Sequence, residues 1–277
     1  MRNVLLTVCL SFALGTGSLF AQAPSSPDSA RPNVLFIAID DLRPALGCYG
    51  DPLARSPNID QFANSARQFN RAYVQQAVCG PSRTSLLTGL LPDHTQVWHN
   101  RNRFRETRPG HLTLPQLFKQ NGYRTLGFGK IFSGNEQELD PVSWSEPEVL
   151  NRKGWKKYLL PENQRGGKKQ AAYEAPNVAD DVYPDGKLAN LAVETLGKLK
   201  RDGVPFFLAV GFFKPHLPFN APKKYWDLYD ATDFDLPDSV REPIESAPEL
   251  AFHTHRELGG YKGVPKDEQL DPEQARG

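Results

Sequence analysis

The chain has 277 residues, of which 39% are hydrophobic and 23% are charged. This composition is typical of a globular protein and excludes the collagen-like, wholly disordered and multi-span membrane classes. Lysine and arginine number 33 against 32 aspartate and glutamate residues, so the net charge is +1. A chain this close to neutrality has no overall attraction for nucleic acid or for an anionic membrane surface.

The first segment is predicted to be a secretory signal peptide covering residues 1–23. A short basic start is followed by an apolar stretch from Val4 to Phe20 and by the small-x-small pattern Ala21-Gln22-Ala23, which is typical of a cleavage site. We therefore expect residues 24–277 to be exported, to a periplasm or an extracellular space, without stable membrane insertion.

Two apolar runs, Asn33–Ile39 and Pro205–Val210, predict central strands, the first of them buried on both faces of a parallel sheet. Residues 124–128 are predicted to form a further short strand. Helix-start signals and helical spacing predict helices within residues 56–69, 81–87, 113–122 and 188–199. The alternation predicts an α/β fold with a mainly parallel, mixed sheet flanked by helices. Residues 133–180 show no periodicity and are interpreted as a loop insertion.

Reactive side chains follow each predicted strand. Asp40 and Asp41 come after the first, Lys130 after the second and His216 after the third. Because ligands of open α/β sheets bind beyond the carboxyl ends of the strands, we expect these residues to share one site. Adjacent aspartates are hard oxygen ligands suited to Ca²⁺ or Mg²⁺, although an aspartate pair equally fits a turn or a helix cap.

The segment Cys79-Gly-Pro-Ser-Arg83 is a sharper signal. Pro81 favours a first helical turn, which places Cys79 at a helix N-terminus, where free N–H groups and the helix dipole attract anions. Arg83 lies four residues on, on the same helix face, and its guanidinium suits a tetrahedral oxyanion. Two other interpretations remain open: a buried structural cysteine, or a disulfide with Cys48.

The motif Cys-x-Pro-Ser-Arg followed by Thr-Ser-Leu-Leu-Thr-Gly resembles the signature of the type I, formylglycine-dependent sulfatases. Within that family the chain is most similar to the iduronate-2-sulfatases. The likeness runs from about Arg31 to about Tyr229, and its matching segments are residues 31–43, 46–51, 56–63, 75–79, 121–125, 129–132 and 206–219. It implies an alkaline-phosphatase-like fold, of which residues 24–277 form the N-terminal portion of the catalytic domain, incomplete at the C-terminus.

The resemblance also implies a sulfuric ester hydrolase acting on a sulfated small molecule or glycan, with a sulfated sugar as the expected substrate. Cys79 would be converted to formylglycine by a formylglycine-generating enzyme, and the hydrated aldehyde would attack sulfur. One Ca²⁺ would be held by Asp40, Asp41 and the side chain at position 79.

The remaining roles implied by the family fall on three basic residues. Arg83 would orient the hydrated aldehyde, and Lys130 would contact sulfate oxygens where negative charge develops. His216 would bind sulfate or protonate the leaving oxygen, which requires a pKa near the working pH.

Two departures from the family pattern keep other functions open. Ser133 stands where the family has a histidine, and the downstream Asp-His or Asp-Asn pair that completes the metal site is absent from the 277 residues. The alternatives are a phosphonate or phosphodiester hydrolase with the same chemistry, and a non-catalytic truncated fragment. The basic stretch 151–170 is interpreted either as a grip for a polyanionic glycan or as a solvated loop.

Overall fold

The computed structural model describes residues 31–133, 140–149, 155–164, 169–234, 246, 248 and 257–265. The chain divides into two compact units, residues 1–32 and residues 33–277, and the fold described below is that of the second unit. The predicted signal peptide lies outside the described residues.

The strands are β1 (Val34–Ile39), β2 (Arg124–Gly129), β3 (Tyr173–Glu174), β4 (Phe206–Phe212) and β5 (Phe219–Asn220). The longer helices are α1 (Pro57–Ala63), α2 (Cys79–Thr88), α5 (Leu114–Gln120) and α7 (Pro184–Asp202). Single turns of helix are α3 (Pro92–Thr95), α4 (Phe104–Thr107), α6 (Pro161–Gln164) and α8 (Lys223–Trp226). In the described part of the chain, no helix is both long and apolar enough to cross a membrane.

The central sheet has three strands in the order β1-β4-β2, and both pairings are parallel. In register, Ile39 lies opposite Phe212, and Gly129 lies opposite Gly211. The carboxyl ends of all three strands therefore meet at one edge of the sheet. The short strands β3 and β5 form a second parallel pair. The predicted α/β fold with a mainly parallel sheet is confirmed.

Apolar side chains cover the sheet on both faces. On one face α7 packs against β2 and β4, and the buried cluster there is Leu126, Phe128, Leu188, Ala192, Leu199, Phe206, Leu208 and Val210. On the other face the cluster is Leu87, Ile131, Phe132, Trp144, Phe207 and Ala209. Strand β4 lies in the middle, and six of its seven residues are buried, as its unbroken apolar run predicts.

Strand β1 differs from the prediction that it is buried on both faces. Leu35 and Ile37 are 45% and 53% exposed. They lie on the face of the sheet that α7 covers, because Leu35 is paired with Leu208. Helix α7 packs over the two neighbouring strands, however, so this face of β1 remains uncovered among the described residues.

Two helix boundaries differ from the predictions. Helix α1 ends at Ala63, short of the predicted Phe69, and α2 begins at Cys79 rather than Pro81. Thr113 is the N-cap of α5: its side chain accepts a hydrogen bond from the backbone N–H of Gln116, whose side chain in turn accepts from the Thr113 N–H. This reciprocal capping box explains why α5 starts where its sequence signal lies.

The described parts of the 133–180 insertion are bonded to the fold. Val149 forms a parallel bridge with Phe128 of β2. Asp140, which is 4% exposed, accepts two hydrogen bonds from the guanidinium of Arg105. These described parts contain single turns of helix and the short strand β3.

Candidate active site

The site lies at the carboxyl edge of the central sheet, as its position in the sequence predicts. Backbone hydrogen bonds continue the pairing one residue beyond the strands: Asp40 N donates to Phe212 O over 3.1 Å, and Lys130 N donates to Gly211 O over 2.8 Å. Asp40 and Lys130 therefore flank the end of β4 from opposite sides.

Two glycines allow this close approach. A side-chain carbon on Gly211 would lie 2.0 Å from the backbone oxygen of Lys130. Gly129 has φ +75°, and a side-chain carbon there would lie 2.2 Å from the oxygen of Gly211. Only glycine tolerates both the left-handed backbone and the contact, so these residues set the position from which the Lys130 side chain enters the site.

Helix α2 points its N-terminus at the same edge. Cys79 is its first residue, and the backbone N–H of Gly80 donates to the side-chain oxygen of Asn100 over 2.7 Å. The Nζ atom of Lys130 lies 3.6 Å from Cys79 Sγ. Cys48 and Cys79 are both free thiols, so the disulfide alternative is wrong, and the sulfur marks where a modified side chain at position 79 would project.

Asp40 lies between two cations. Its carboxylate accepts a hydrogen bond from Arg83 NH2 over 2.8 Å and another from Lys130 Nζ, and all three side chains are largely buried. Burial alone would raise the pKa of Asp40, but the charges of Lys130 and Arg83 outweigh it and hold the pKa below its ordinary value. Asp40 is therefore ionised and fixes both cations.

Arg83 is held at the site by three acceptors. Its NH1 donates to the backbone oxygens of Lys130 and Ile131 while its NH2 binds Asp40. The guanidinium thus ties α2 to the segment after β2. It reaches the region of Cys79 through its partners Asp40 and Lys130.

His216 completes the group. Ligand atoms of Asp40, Cys79 and His216 all lie within 4.8 Å of one another. A hydrogen bond from His216 is the largest influence lowering the pKa of Cys79. Burial would lower the pKa of His216, but its hydrogen bonds to Cys79 and to the Leu217 carbonyl outweigh burial and raise it. The two shifts have the directions expected of a thiolate paired with an imidazolium.

Ser133 lies beside this group. It lines a cavity of about 240 Å³ next to the first turn of α2, together with Gly80, Thr84, Asn102, Arg103, Phe104, Arg105, Glu106, Phe132 and Asp140. Ser133 lies three residues after Lys130 in sequence and lines this cavity with Gly80 and Thr84 of α2. A serine hydroxyl here can donate or accept a hydrogen bond, but it has no ionisation near neutral pH.

Comparison with known proteins identifies the family. The sulfatase family model matches residues 32–258. The chain belongs to the sulfatase family. Human iduronate 2-sulfatase is 41% identical over 260 residues, covering 90% of this chain and 46% of its own length. A sulfatase of Formosa agariphila is 30% identical, with 80% of this chain and 46% of its own length covered.

Solved structures agree on the sulfatase fold. Phosphonate monoester hydrolase of Agrobacterium radiobacter matches with a TM-score of 0.59 and 25% identity, covering 74% of this chain and 45% of the other. A protein solved in complex with its substrate D-glucosamine-2-N,6-O-disulfate matches with a TM-score of 0.55 and 23% identity, covering 80% and 42%. This sulfatase chain spans about half the length of the curated relatives it matches.

The donor groups of this sulfatase suit part of a calcium site. Asp40 and Asp41 are hard carboxylate ligands at one strand end, whereas Cys79 as a thiol and His216 as an imidazole are softer ligands than calcium prefers. Asp41 is exposed and has φ +57°, a left-handed conformation that aspartate tolerates better than most residues. Two carboxylates fall short of the six to eight oxygens that calcium takes, so they fit as a partial ligand set.

The basic stretch 151–170 contacts the fold through its described lysines. Lys157 Nζ donates to Val182 O, and Lys169 Nζ donates to Gly259 O, so neither is the fully solvated charge that the simpler interpretation supposed. Lys156 lies over the ring of Trp155, with Nζ 4.6 Å from the ring centre. The other basic residues, Arg152, Lys153, Arg165 and Lys168, lie outside the described residues.

Three residues near His216 were not predicted from the sequence. Asp185, in the first turn of α7, accepts hydrogen bonds from the backbone N–H groups of Phe213 and Lys214, and burial raises its pKa. Lys214 Nζ donates to the backbone oxygens of His216 and Pro218. Trp155 contacts the His216 ring. Only Lys214, in the Lys-Pro-His segment, stood near a sequence signal.

Proposed function

We propose that this chain carries the nucleophile-bearing part of an active site that hydrolyses sulfate esters. The observation that supports this most directly is the position of Cys79 at the N-terminus of α2, with Lys130 Nζ 3.6 Å from its sulfur and a ring nitrogen of His216 within 4.8 Å of it. A helix N-terminus and a lysine both stabilise negative charge. Position 79 is therefore a place where an anionic sulfate group and its attacking atom would meet.

Cys79 in this proposal is the precursor of formylglycine, made during maturation by a formylglycine-generating enzyme. The hydrated aldehyde supplies one hydroxyl that attacks sulfur and a second that allows sulfate to be released. Lys130 binds a sulfate oxygen, while Asp40 and Arg83 hold Lys130 in place through their buried ion pairs.

His216 then has the proton-transfer role. Its Nδ1 lies 2.7 Å from the carbonyl oxygen of Leu217, so Nδ1 is the protonated nitrogen of the neutral ring. In its charged form, His216 can donate a proton to the leaving alcohol. Asp40 and Asp41 would hold the calcium ion, which neutralises charge on a sulfate oxygen when bound.

The substrate proposed is a sulfated sugar of the kind implied by likeness to iduronate 2-sulfatases. The relative is 41% identical over 90% of this chain. Because about half of the relative's length has no counterpart here, both turnover and substrate belong to the proposal. Export to the periplasm or the extracellular space is part of the same proposal and depends on residues 1–23.

A second candidate is hydrolysis of phosphonate or phosphate esters. It is favoured by the TM-score of 0.59 to phosphonate monoester hydrolase and by the similar tetrahedral geometry of the two anions. The higher sequence identity to sulfate ester hydrolases favours the first candidate.

The test begins with residue 79. Mass spectrometry of the tryptic peptide 72–83 from protein co-expressed with a formylglycine-generating enzyme is expected to show the aldehyde at Cys79, while Cys48 stays unmodified. Hydrolysis of para-nitrophenyl sulfate and of para-nitrophenyl phenylphosphonate is then compared, with Cys79→Ala as the control. A persistent thiol at position 79 in every molecule contradicts the formylglycine route. Modification without turnover of either ester indicates the non-catalytic fragment.

A further inference from the structure

Trp155 packs directly against the turn that carries His216. The rings of Trp155 and His216 meet edge to face, with centroids 4.8 Å apart and planes at 90°. Trp155 also stacks on Phe213, with centroids 6.0 Å apart and planes at 16°. Lys214 Nζ lies 5.7 Å from the same indole ring. One side chain of the insertion thus touches three of the four residues from Phe213 to His216.

The segment that bears Trp155 is held firmly. Glu174, which is 2% exposed, accepts hydrogen bonds from Leu159 N, from Asn163 Nδ2 and from the Tyr183 hydroxyl. Asn220 Nδ2 donates to Lys157 O over 2.8 Å. These bonds begin two residues after Trp155, so the position of the indole is fixed by the fold around it.

His216 needs such support because a histidine side chain has two free torsions. The 2.7 Å contact between Nδ1 and Leu217 O fixes one ring nitrogen. The other, Nε2, lies 3.7 Å from the carboxylate of Glu257, whose side chain is exposed, and this distance is too long for a hydrogen bond that would fix the ring plane. The edge-to-face contact with Trp155 restricts rotation of the ring.

We propose that Trp155 is a positioning residue for His216: it holds the imidazole plane in the orientation that keeps a ring nitrogen within 4.8 Å of Cys79 Sγ. The inference rests on the role proposed above for His216 in ester hydrolysis. This role of the 133–180 insertion differs from binding a glycan, because the indole orients a histidine of the protein and does not contact the substrate.

A purely structural role for Trp155 predicts different behaviour. Trp155 borders a cavity of about 260 Å³ that is also lined by Asp185, Phe213, Lys214, Asn220 and Tyr225, among others. If Trp155 only packs the fold, removing its indole lowers the stability of the protein and lowers activity only because less protein is folded. If Trp155 positions His216, removing the indole changes the environment of His216 and lowers kcat in protein that remains folded.

The experiment compares Trp155→Ala, Trp155→Phe and a matched control, Tyr173→Ala, in the full chain. Tyr173 is an aromatic residue of the same insertion that packs on Trp226 instead of His216. The first readout is a proton–carbon correlation spectrum of the histidine rings, with the His216 signals assigned from their loss in His216→Gln. The second is kcat and KM for para-nitrophenyl sulfate, and thermal unfolding reports the folded fraction.

We expect Trp155→Ala to shift the His216 ring signals and to lower kcat about 10- to 100-fold with KM changed less than about twofold. Trp155→Phe keeps an aromatic ring beside His216 and should retain kcat within about threefold. Tyr173→Ala should leave the His216 signals in place. The spectrum reports the contact between Trp155 and His216 even if the protein cleaves no sulfate ester. A failure of the proposed sulfatase activity can therefore be distinguished from a failure of the positioning proposal. Unshifted His216 signals in folded Trp155→Ala, or a change in KM alone, overturn the proposal.

Discussion

Lys214 holds a positive charge in a poorly solvated position beside His216. Its ammonium donates to the backbone oxygens of His216 and Pro218 and lies over the ring of Trp155. Burial lowers the pKa of Lys214 to about 8, and the nearby carboxylate of Asp185 offsets this only in part. The turn that carries His216 therefore contains a charge that the folded state disfavours.

The size of this penalty follows from the pKa. The fall of the Lys214 pKa from its ordinary value of 10.5 to about 8 corresponds to about 3 kcal/mol, at about 1.4 kcal/mol per pKa unit. Below pH 8 both the folded and the unfolded states carry the proton, and the full penalty applies. Between about pH 8 and 10.5 the unfolded state binds more protons than the folded state, so the free energy of unfolding rises with pH.

Lys214→Met removes the charge and keeps most of the stem. At pH 7 the variant gains back the burial penalty but leaves two carbonyl oxygens without their donor, at about 1–3 kcal/mol each, so the two effects largely cancel. At pH 10 the wild type should have gained about 2.5 kcal/mol relative to the variant. Urea unfolding of both proteins at pH 7 and pH 10 measures this difference.

Lys198→Met is the matched control, because Lys198 lies exposed on α7 in an ion pair with Glu194 and exposed pairs contribute little. The difference between wild type and Lys198→Met should show no comparable trend with pH. If the difference in free energy of unfolding between wild type and Lys214→Met is also the same at pH 7 and pH 10, the Lys214 ammonium carries no burial penalty and the lowered pKa is wrong.

Four further substitutions test other parts of the fold. Asp40→Asn leaves Arg83 and Lys130 buried without a counter-charge and should lower the free energy of unfolding by about 3–5 kcal/mol; a loss below about 1 kcal/mol in urea titrations without calcium would contradict the ion-pair account. Thr113→Ala removes the α5 capping box and should cost about 1 kcal/mol, seen as a lower urea midpoint at unchanged slope. Leu208→Ala, in the centre of β4, should cost about 2–5 kcal/mol, whereas Ile37→Ala on the uncovered face of β1 should cost under about 1 kcal/mol; equal losses in thermal unfolding would show that this face is covered in solution.

Sequence reasoning located the sheet and its reactive edge because both depend on local patterns. Apolar runs that end in charged residues mark β1, β2 and β4, and parallel pairing then brings Asp40, Lys130 and the Phe213–His216 turn to one edge. The start of α2 was predicted two residues late, since Cys79 has helical conformation without a side-chain cap before it. Local sequence signals were sufficient for features, such as strands and helix starts, that depend on neighbouring residues.

The partners of these residues depend on contacts between distant segments, which carry no local pattern. Arg83 was predicted to lie on the same helix face as Cys79, but the sequence did not indicate that its donors are taken up by carbonyl oxygens at Lys130 and Ile131 and by the carboxylate of Asp40. Trp155 belongs to a segment with no periodicity, and its contact with His216 joins residues 61 positions apart. The uncovered face of β1 was missed for the same reason, because an apolar run reports what a strand can bury and not which helix covers it.

The charges of the site explain why a nearly neutral chain can still bind an anion. Arg83 and Lys130 contribute two positive charges, which Asp40 and Asp41 balance, so these four side chains sum to zero. Attraction for a sulfate group then has to come from the α2 N-terminus, from protonated His216 and from the divalent ion proposed at the two aspartates. Of these sources, only the helix dipole is independent of pH and of metal. The proposed sulfate binding should therefore weaken when calcium is removed and also when His216 loses its proton.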